Sequence, residues 1–123
     1  MNENTPKEAV TNFLKCWQKR NFKKMIEFTQ LTWKSDKGES AKDFLENVYG
    51  FKRLIHFEIL KEKTPPEFSE AIVKDIEVFI KYKLPNGIKN KKITARAICE
   101  SAPYEANKDG TWGINPIGAL REY

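Results

Sequence analysis

The clearest strand pattern in the chain is KITARAICESAPYEANKDGTWGINP, residues 92–116. From Ile93 to Glu100, apolar or small residues alternate with a second, mostly polar set, which is typical of a strand with two unlike faces. Residues 107–110, Asn-Lys-Asp-Gly, predict a turn, after which residues 111–115 can return as a second strand. We therefore expect this hairpin to form the middle of a curved antiparallel sheet that the upstream chain pairs with or covers.

Two longer strands are predicted upstream, at 52–63 and 70–84, with Pro65 and Pro66 breaking the ladder between them. Asn86-Gly87 predicts a two-residue hairpin turn, because this pair accepts the positive φ angles of a type I′ turn. The register that follows places the following residues opposite each other: Ile80–Ile93, Val78–Ala95, Ile76–Ala97, Glu77–Arg96, Lys63–Glu70, Phe57–Ile76, Ile55–Val78 and His56–Glu77. In this register each strand has one apolar and one mixed face.

Three helices are predicted ahead of the strands. Thr5-Pro6-Lys7-Glu8 is a capping box with proline at the first helical position, and an apolar stripe that ends at Trp17 follows it. Asn21 can cap a second helix, and Ser40 can cap a third that Gly50 ends in a left-handed turn. The fold class predicted is α+β, with three N-terminal helices packed on a four-stranded antiparallel sheet in one domain over residues 1–123.

The composition is that of a folded protein, since 40% of the 123 residues are hydrophobic. The formal net charge of +5 comes mostly from 18 lysines against 4 arginines. Arginine is the usual fork for phosphate and base edges, so we expect no specific nucleic-acid binding. The sequence has no apolar run long enough to span a bilayer and no secretory leader. We therefore expect a cytoplasmic protein, or an extracytoplasmic one if the sequence is a trimmed part of a longer chain.

Cysteine and histidine usage argues against a metal centre. The two cysteines, Cys16 and Cys99, have no metal-ligand spacing, and His56 is the single histidine. Buried free thiols are the expected state of both cysteines. We expect neither a metal nor a cofactor.

Two stretches resemble the nuclear-transport-factor-2-like, or cystatin-like, superfamily. The start TPKEAVTNFLKCWQKRNFKKMIEF is similar to that of small bacterial and archaeal members, in which a proline opens the first helix and a polar-aromatic pair, here Asn21 and Phe22, opens the second. The end DGTWGINP, residues 109–116, resembles the superfamily's last strand. The most similar branch is one of domains of unknown function often found behind a lipoprotein signal. The resemblance implies a cone with a pocket between the first helix and the concave sheet face.

The superfamily contains ketosteroid isomerase, scytalone dehydratase, polyketide cyclases and many non-catalytic adaptors, so the fold alone does not assign chemistry. The residues that we expect to line the pocket are Phe13, Trp17, Tyr82, Ala95, Ala97, Cys99 and Trp112. No Asp, Glu or His is predicted on the concave face, so no catalytic residue is assigned. The preferred function is a non-catalytic binding or accessory module with a small apolar pocket.

Two alternatives remain open. The first is a small-molecule lyase or isomerase that uses the pocket near Trp17, Tyr82 and Cys99. The second is a basic domain that binds an acidic protein partner through the lysine-rich hairpin Lys81–Lys92.

The mixed sheet face carries apolar residues that should not stay wet in a monomer. We therefore expect a homodimer through this face. Its predicted contact residues are Leu54, His56, Glu77, Phe79, Arg96 and Ile98.

Overall fold

The computed structural model describes residues 5–69 and 71–116. Four α-helices come first: α1 (Pro6–Gln18), α2 (Phe22–Met25), α3 (Leu31–Lys37) and α4 (Ala41–Tyr49). Five strands follow: β1 (Arg53–Lys63), β2 (Val73–Leu84), β3 (Gly87–Ala102), β4 (Glu105–Ala106) and β5 (Thr111–Ile114). The strands form one antiparallel sheet in the order β1-β2-β3-β4, with β5 also paired to β3. The α+β class and the helix-first order are confirmed, whereas the numbers of helices and strands differ from those predicted.

The first helix begins as predicted, because the Thr5 hydroxyl accepts a hydrogen bond from the Glu8 amide at 3.1 Å and Pro6 follows the cap. The second predicted helix is wrong beyond Phe28, since Thr29 and Gln30 are extended. The Gln30 amide donates to the Ile114 carbonyl at 2.9 Å, and Thr29 forms a parallel bridge with Ile114. Pairing with β5 therefore interrupts the helix, so that a 3₁₀ turn, Ile26–Phe28, and a separate α3 replace it.

The last helix begins after Ser40 and ends before Gly50 as predicted, but neither predicted cap forms. The Ser40 hydroxyl donates to the Lys37 carbonyl and makes no capping bond to α4. Gly50 has a φ of −69°, which is right-handed helical backbone, so it does not form a left-handed cap.

The predicted register between β2 and β3 is wrong by two residues. Ile80 lies opposite Lys91, Ile76 opposite Ala95, and Arg96 opposite Asp75. The turn residues are Pro85 and Asn86, because Leu84 pairs with Gly87. The residues that flank a two-residue turn exchange two N–H···O bonds, and Pro85 has no N–H to donate. A shift of two residues keeps every side chain on its own face, so the hydrophobic alternation did not reveal the error.

The register between β1 and β2 differs from the predicted one by four residues at His56 and Phe57. Phe57 lies opposite Ile80, and His56 lies opposite Lys81. The predicted partner of Lys63, Glu70, lies outside the described residues; Lys63 is opposite Asp75. The register also changes at two irregularities, between Leu54 and His56 and between Ile59 and Lys61. An extra residue in a bulge moves the side chains that precede it to the opposite face of the sheet. Leu54 is consequently buried in the core and Ile55 is exposed, the reverse of the prediction.

The core lies between α1 and one face of the sheet, here called the inner face. The opposite, outer face carries Asp75, Glu77, Phe79, Thr94 and Arg96. Large side chains fill the inner side, and the Trp17 indole stacks edge-on against Tyr49 with 5.1 Å between ring centroids.

Candidate functional site

The pocket predicted between α1 and the sheet is filled by side chains. Six of its seven predicted residues are buried, and Trp112 is half-buried. Tyr49 of α4, which was not predicted, packs against Phe13 and Trp17. The Trp17 Nε1–H donates to the carbonyls of Tyr49 at 3.0 Å and Lys52 at 2.9 Å, which fixes the indole in this space.

A cavity of about 30 Å³ remains beside Trp17, Tyr49 and Tyr82. A cavity of this size can hold water, since about 10–15 Å³ suffices for one molecule. Lys52 and Lys91 are among its lining residues, and the Lys52 Nζ lies 5.3 Å from the centre of the Tyr82 ring. A small-molecule substrate would require this region to repack.

Two buried carboxylates have structural partners. Glu100 at the end of β3 accepts from the Thr32 amide at 3.1 Å, from the Thr32 hydroxyl, and from the Gln30 side-chain amide at 3.4 Å. It thereby joins the start of α3 to the sheet. Asp75 on the outer face accepts two bonds from the Arg96 guanidinium, at 2.8 and 3.1 Å. Both carboxylates thus hold backbone or side-chain donors in the fold.

Burial also makes the phenol and thiol groups poor reactive groups. The Tyr49 hydroxyl donates to the Pro116 carbonyl at 2.8 Å, and burial raises the pKa of Tyr49 well above its usual value. Burial likewise raises the pKa of the Cys16 and Cys99 thiols. The two cysteines are free and buried, as predicted.

The predicted row of His56, Glu77 and Arg96 does not form. His56 is exposed with its Nε2 at 3.4 Å from Glu58, while Glu77 lies between Lys92 at 3.5 Å and Lys61 at 3.9 Å. The shifted registers explain this separation. Of the predicted dimer residues, Leu54 is in the core, whereas Phe79, Arg96 and Ile98 are half-buried on the outer face.

The structure instead brings basic side chains together where the β2–β3 hairpin turns. Arg53 of β1 lies directly opposite Lys83 of β2. Together with Arg20 they line an open concavity of about 320 Å³. Its other lining residues are Gly50, Phe51, Leu84 and Pro85. Lys81 and Lys83 lie on the outer face of this end of the sheet and Lys89 on the inner face. The group Arg20, Arg53, Lys81, Lys83 and Lys89 is called the basic end below.

Arg20 occupies a conformation that usually belongs to glycine. It follows α1 with a φ of 59°, and its amide donates to the Trp17 carbonyl at 3.0 Å. The next amide, of Asn21, donates to the Cys16 carbonyl at 2.8 Å, as in a helix C-terminal motif. The Arg20 Nη2 donates to the Gly50 carbonyl at 2.8 Å, so the side chain is held against the α4–β1 connection.

A second basic groove of about 220 Å³ lies between α1 and α2. Its lining includes Lys15, Lys19 and Lys24, with Cys16 at 6% exposure. The hairpin lysines could be predicted from the sequence, but Arg20 and Arg53 could not, since only the fold brings them to Lys83.

Within residues 5–69 and 71–116, no group of three or more His, Cys, Asp or Glu residues could hold a metal ion. No helix in those ranges is long and apolar enough to cross a bilayer.

Comparisons with known proteins support the fold only. No protein-family model matches the chain, and no curated protein matches it significantly. The fold is similar to that of a SEC-C motif-containing protein from Psychrobacter arcticus, with a TM-score of 0.67 and 14% sequence identity. The match covers 100% of this chain and 66% of that protein. At this identity the likeness concerns the architecture and carries no function across.

Proposed function

We propose that this chain is a non-catalytic binding module that docks an acidic segment of a partner protein on its basic end. The observation that carries the proposal is the Arg53–Lys83 pair, in which like charges face each other on neighbouring strands. Like charges directly opposite destabilise a sheet, by about 0.2–1 kcal/mol. A bound acidic segment would remove this repulsion and turn the pair into a source of affinity.

The distribution of carboxylates supports the same proposal. Within the described residues, no carboxylate lies within ion-pairing distance of Lys81, Lys83 or Lys89. Four other basic side chains of the sheet do have acidic partners: Lys61 and Lys92 with Glu77, Lys74 with Glu62, and Arg96 with Asp75. The positive charge of Lys81, Lys83 and Lys89 is therefore not neutralised by the described carboxylates, and it can attract an acidic partner.

A protein partner is favoured over a nucleic acid by the side chains involved. Three of the five residues of the basic end are lysines, which do not provide the planar fork that reads base edges. Phe51 and Ile88 are 59% and 56% exposed and flank the basic residues. Apolar side chains beside cations suit a segment that carries both acidic and apolar residues.

The proposal predicts that wild-type protein binds a fluorescein-labelled peptide of ten glutamates, in a manner that salt weakens. Charge reversal of the basic end, in a variant with Lys81→Glu, Lys83→Glu and Lys89→Glu, should reduce the affinity at least tenfold, or about 1.4 kcal/mol. Fluorescence anisotropy measures the dissociation constants of the wild type and of the variant.

The second basic groove provides a matched control. A variant with Lys15→Glu, Lys19→Glu and Lys24→Glu has the same change in net charge, and it should stay within about threefold of wild type. Equal losses in both variants would indicate attraction by net charge alone. Preferential binding of a ten-residue thymidine oligonucleotide over the glutamate peptide would overturn the choice of partner.

We also propose that the domain belongs to the nuclear-transport-factor-2-like class. The confirmed helix-first α+β order supports this assignment, and so do the irregularities in β1, since bulges bend and twist a strand. The packing around Trp17 and Tyr49 would then make it a member whose central pocket is filled.

A second copy of the chain is proposed to cover the outer face. Phe79 and Ile98 are half-buried there, and Phe68, which stacks beside the Arg96 guanidinium, is 41% exposed. A two-fold contact would bury these apolar groups against the same residues of the other copy.

Sedimentation velocity at micromolar concentration should therefore give about twice the 14.3 kDa chain mass. Phe79→Lys should shift the protein to monomer, because it places a charge within the apolar contact. Val48→Lys alters an exposed apolar residue of α4 instead and should remain dimeric. A wild-type monomer would refute the dimer.

A further inference from the structure

We infer that the concavity lined by Arg20, Arg53 and Lys83 is an anchoring subsite for a single carboxylate group of the acidic partner. This inference deepens the proposed function and rests on it. The proposed function requires only a positively charged end. The inference requires a defined position at which one carboxylate is held.

The backbone conformation and the side-chain hydrogen bond of Arg20 support this inference. At φ 59° an arginine has the steric conflict that glycine avoids, so glycine would be the more stable residue at this position. Residues held in sparsely populated backbone conformations cluster at binding sites. The hydrogen bond from Nη2 to the Gly50 carbonyl fixes the guanidinium at the concavity and uses one of its five N–H donors.

Arg53 and Lys83 line the same concavity. They are neighbours by direct cross-strand pairing, and Arg20 lines the concavity from the α1–α2 turn. No carboxylate is among the described residues that line the concavity. Two guanidinium groups and an ammonium can bind the two oxygens of a carboxylate with charge-assisted hydrogen bonds.

The apolar lining favours the carboxylate of an amino acid over a free inorganic anion. Phe51, Leu84 and Pro85 line the concavity beside the cations. They can pack against the methylene groups that precede a glutamate carboxylate, or against the last side chain of a chain that ends in a free carboxylate. An inorganic anion has no carbon atoms for this contact.

Arg20→Gly is the decisive variant, because it removes the guanidinium and supplies the residue that the backbone conformation favours. Its thermal midpoint should equal or exceed that of wild type, whereas its affinity for the ten-glutamate peptide should fall about tenfold. Arg53→Gln should lose affinity similarly. Arg20→Lys should recover only part of the affinity, since the charge returns without the planar fork. Lys24→Gln, in the second basic groove, should bind as wild type does.

A titration with N-acetylglutamate amide, followed by NMR of ¹⁵N-labelled protein, tests the subsite without the peptide. We expect the Arg20 and Arg53 side-chain N–H signals to shift in wild type, and the Arg20 shift to be lost in Arg53→Gln. Inorganic phosphate at matched ionic strength should displace the ligand weakly. Equal competition by phosphate would overturn the assignment to a carboxylate.

The two proposals fail in distinguishable ways. If charge reversal of the hairpin lysines abolishes peptide binding while Arg20→Gly does not weaken it, the basic end binds but the subsite is refuted. If the peptide does not bind while N-acetylglutamate amide shifts both arginines, the subsite stands and the proposed partner is wrong. Peptides with free and amidated C-termini identify the source of the carboxylate: equal affinities indicate a side chain, and loss on amidation indicates the chain terminus.

Discussion

Replacing Trp17 with alanine is expected to lower the free energy of unfolding by about 3–5 kcal/mol, as for other buried aromatic residues. Trp17 is 2% exposed and packs edge-on against Tyr49 in the space between α1 and the sheet. Its removal would leave a large cavity and would also leave two carbonyls, of Tyr49 and Lys52, without their indole donor. A loss of this size is a large fraction of the stability of a small domain. Urea unfolding followed by circular dichroism measures it.

Trp17→Phe separates the packing from the hydrogen bonds. The phenyl ring keeps much of the apolar volume but cannot donate, so its cost should be smaller, about 1–3 kcal/mol. Phe51→Ala, at an aromatic residue that is 59% exposed, should change stability by less than about 0.5 kcal/mol. A Trp17→Ala protein as stable as wild type would show that α1 does not close the core.

The first helix illustrates what local sequence can determine. Its capping box and apolar stripe involve residues within one helix, and the structure has both the Thr5 cap and the buried stripe. The second helix was mispredicted because a non-local pairing, between Thr29–Gln30 and Ile114, competes with helix propensity. Nothing in the residues near Thr29 indicates that pairing.

The sheet register shows a different limit. Alternation specifies which face a residue occupies, and a shift by two residues preserves it. The missing N–H of Pro85 was the available signal against an Asn86-Gly87 turn. For β1 no comparable signal exists, because the residues at the irregularities beside Ile55 and Leu60 have ordinary strand-forming chemistry.

The candidate site was predictable only in part for the same reason. Lysines of the hairpin are close in sequence, so their shared charge is visible along the chain. Arg20 and Arg53 lie 33 positions apart, as their numbers give, and they line one concavity only because α4 returns the chain to the α1–α2 turn. Tyr49, which the sequence assigned to no site, packs beside Phe13 and Trp17 and leaves only a small cavity next to Trp17 and Tyr82.

At Gly113, strand β5 lies directly against the chain between α2 and α3. A Cβ at this position would lie 2.6 Å from the Thr29 carbonyl oxygen and 2.7 Å from the backbone N and Cα of Gln30. These are backbone atoms held by the Gln30–Ile114 hydrogen bond, so no side-chain rotation can relieve the contact. Gly113 therefore permits the contact that ends the predicted second helix and positions Thr32 for its bonds to Glu100.

Gly113→Ala is therefore expected to destabilise the protein by about 3 kcal/mol, at the upper end of the cost of overpacking. Gly38→Ala is the matched control, since a Cβ there meets nothing within 4 Å and the cost is only that of its backbone conformation, φ 52° and ψ −126°. It should cost about 1–3 kcal/mol. Urea unfolding measures both, and hydrogen exchange should show faster exchange of the Gln30 and Thr32 amides in Gly113→Ala. If Gly113→Ala costs less than Gly38→Ala and leaves those amides protected, β5 does not hold the start of α3 at this distance.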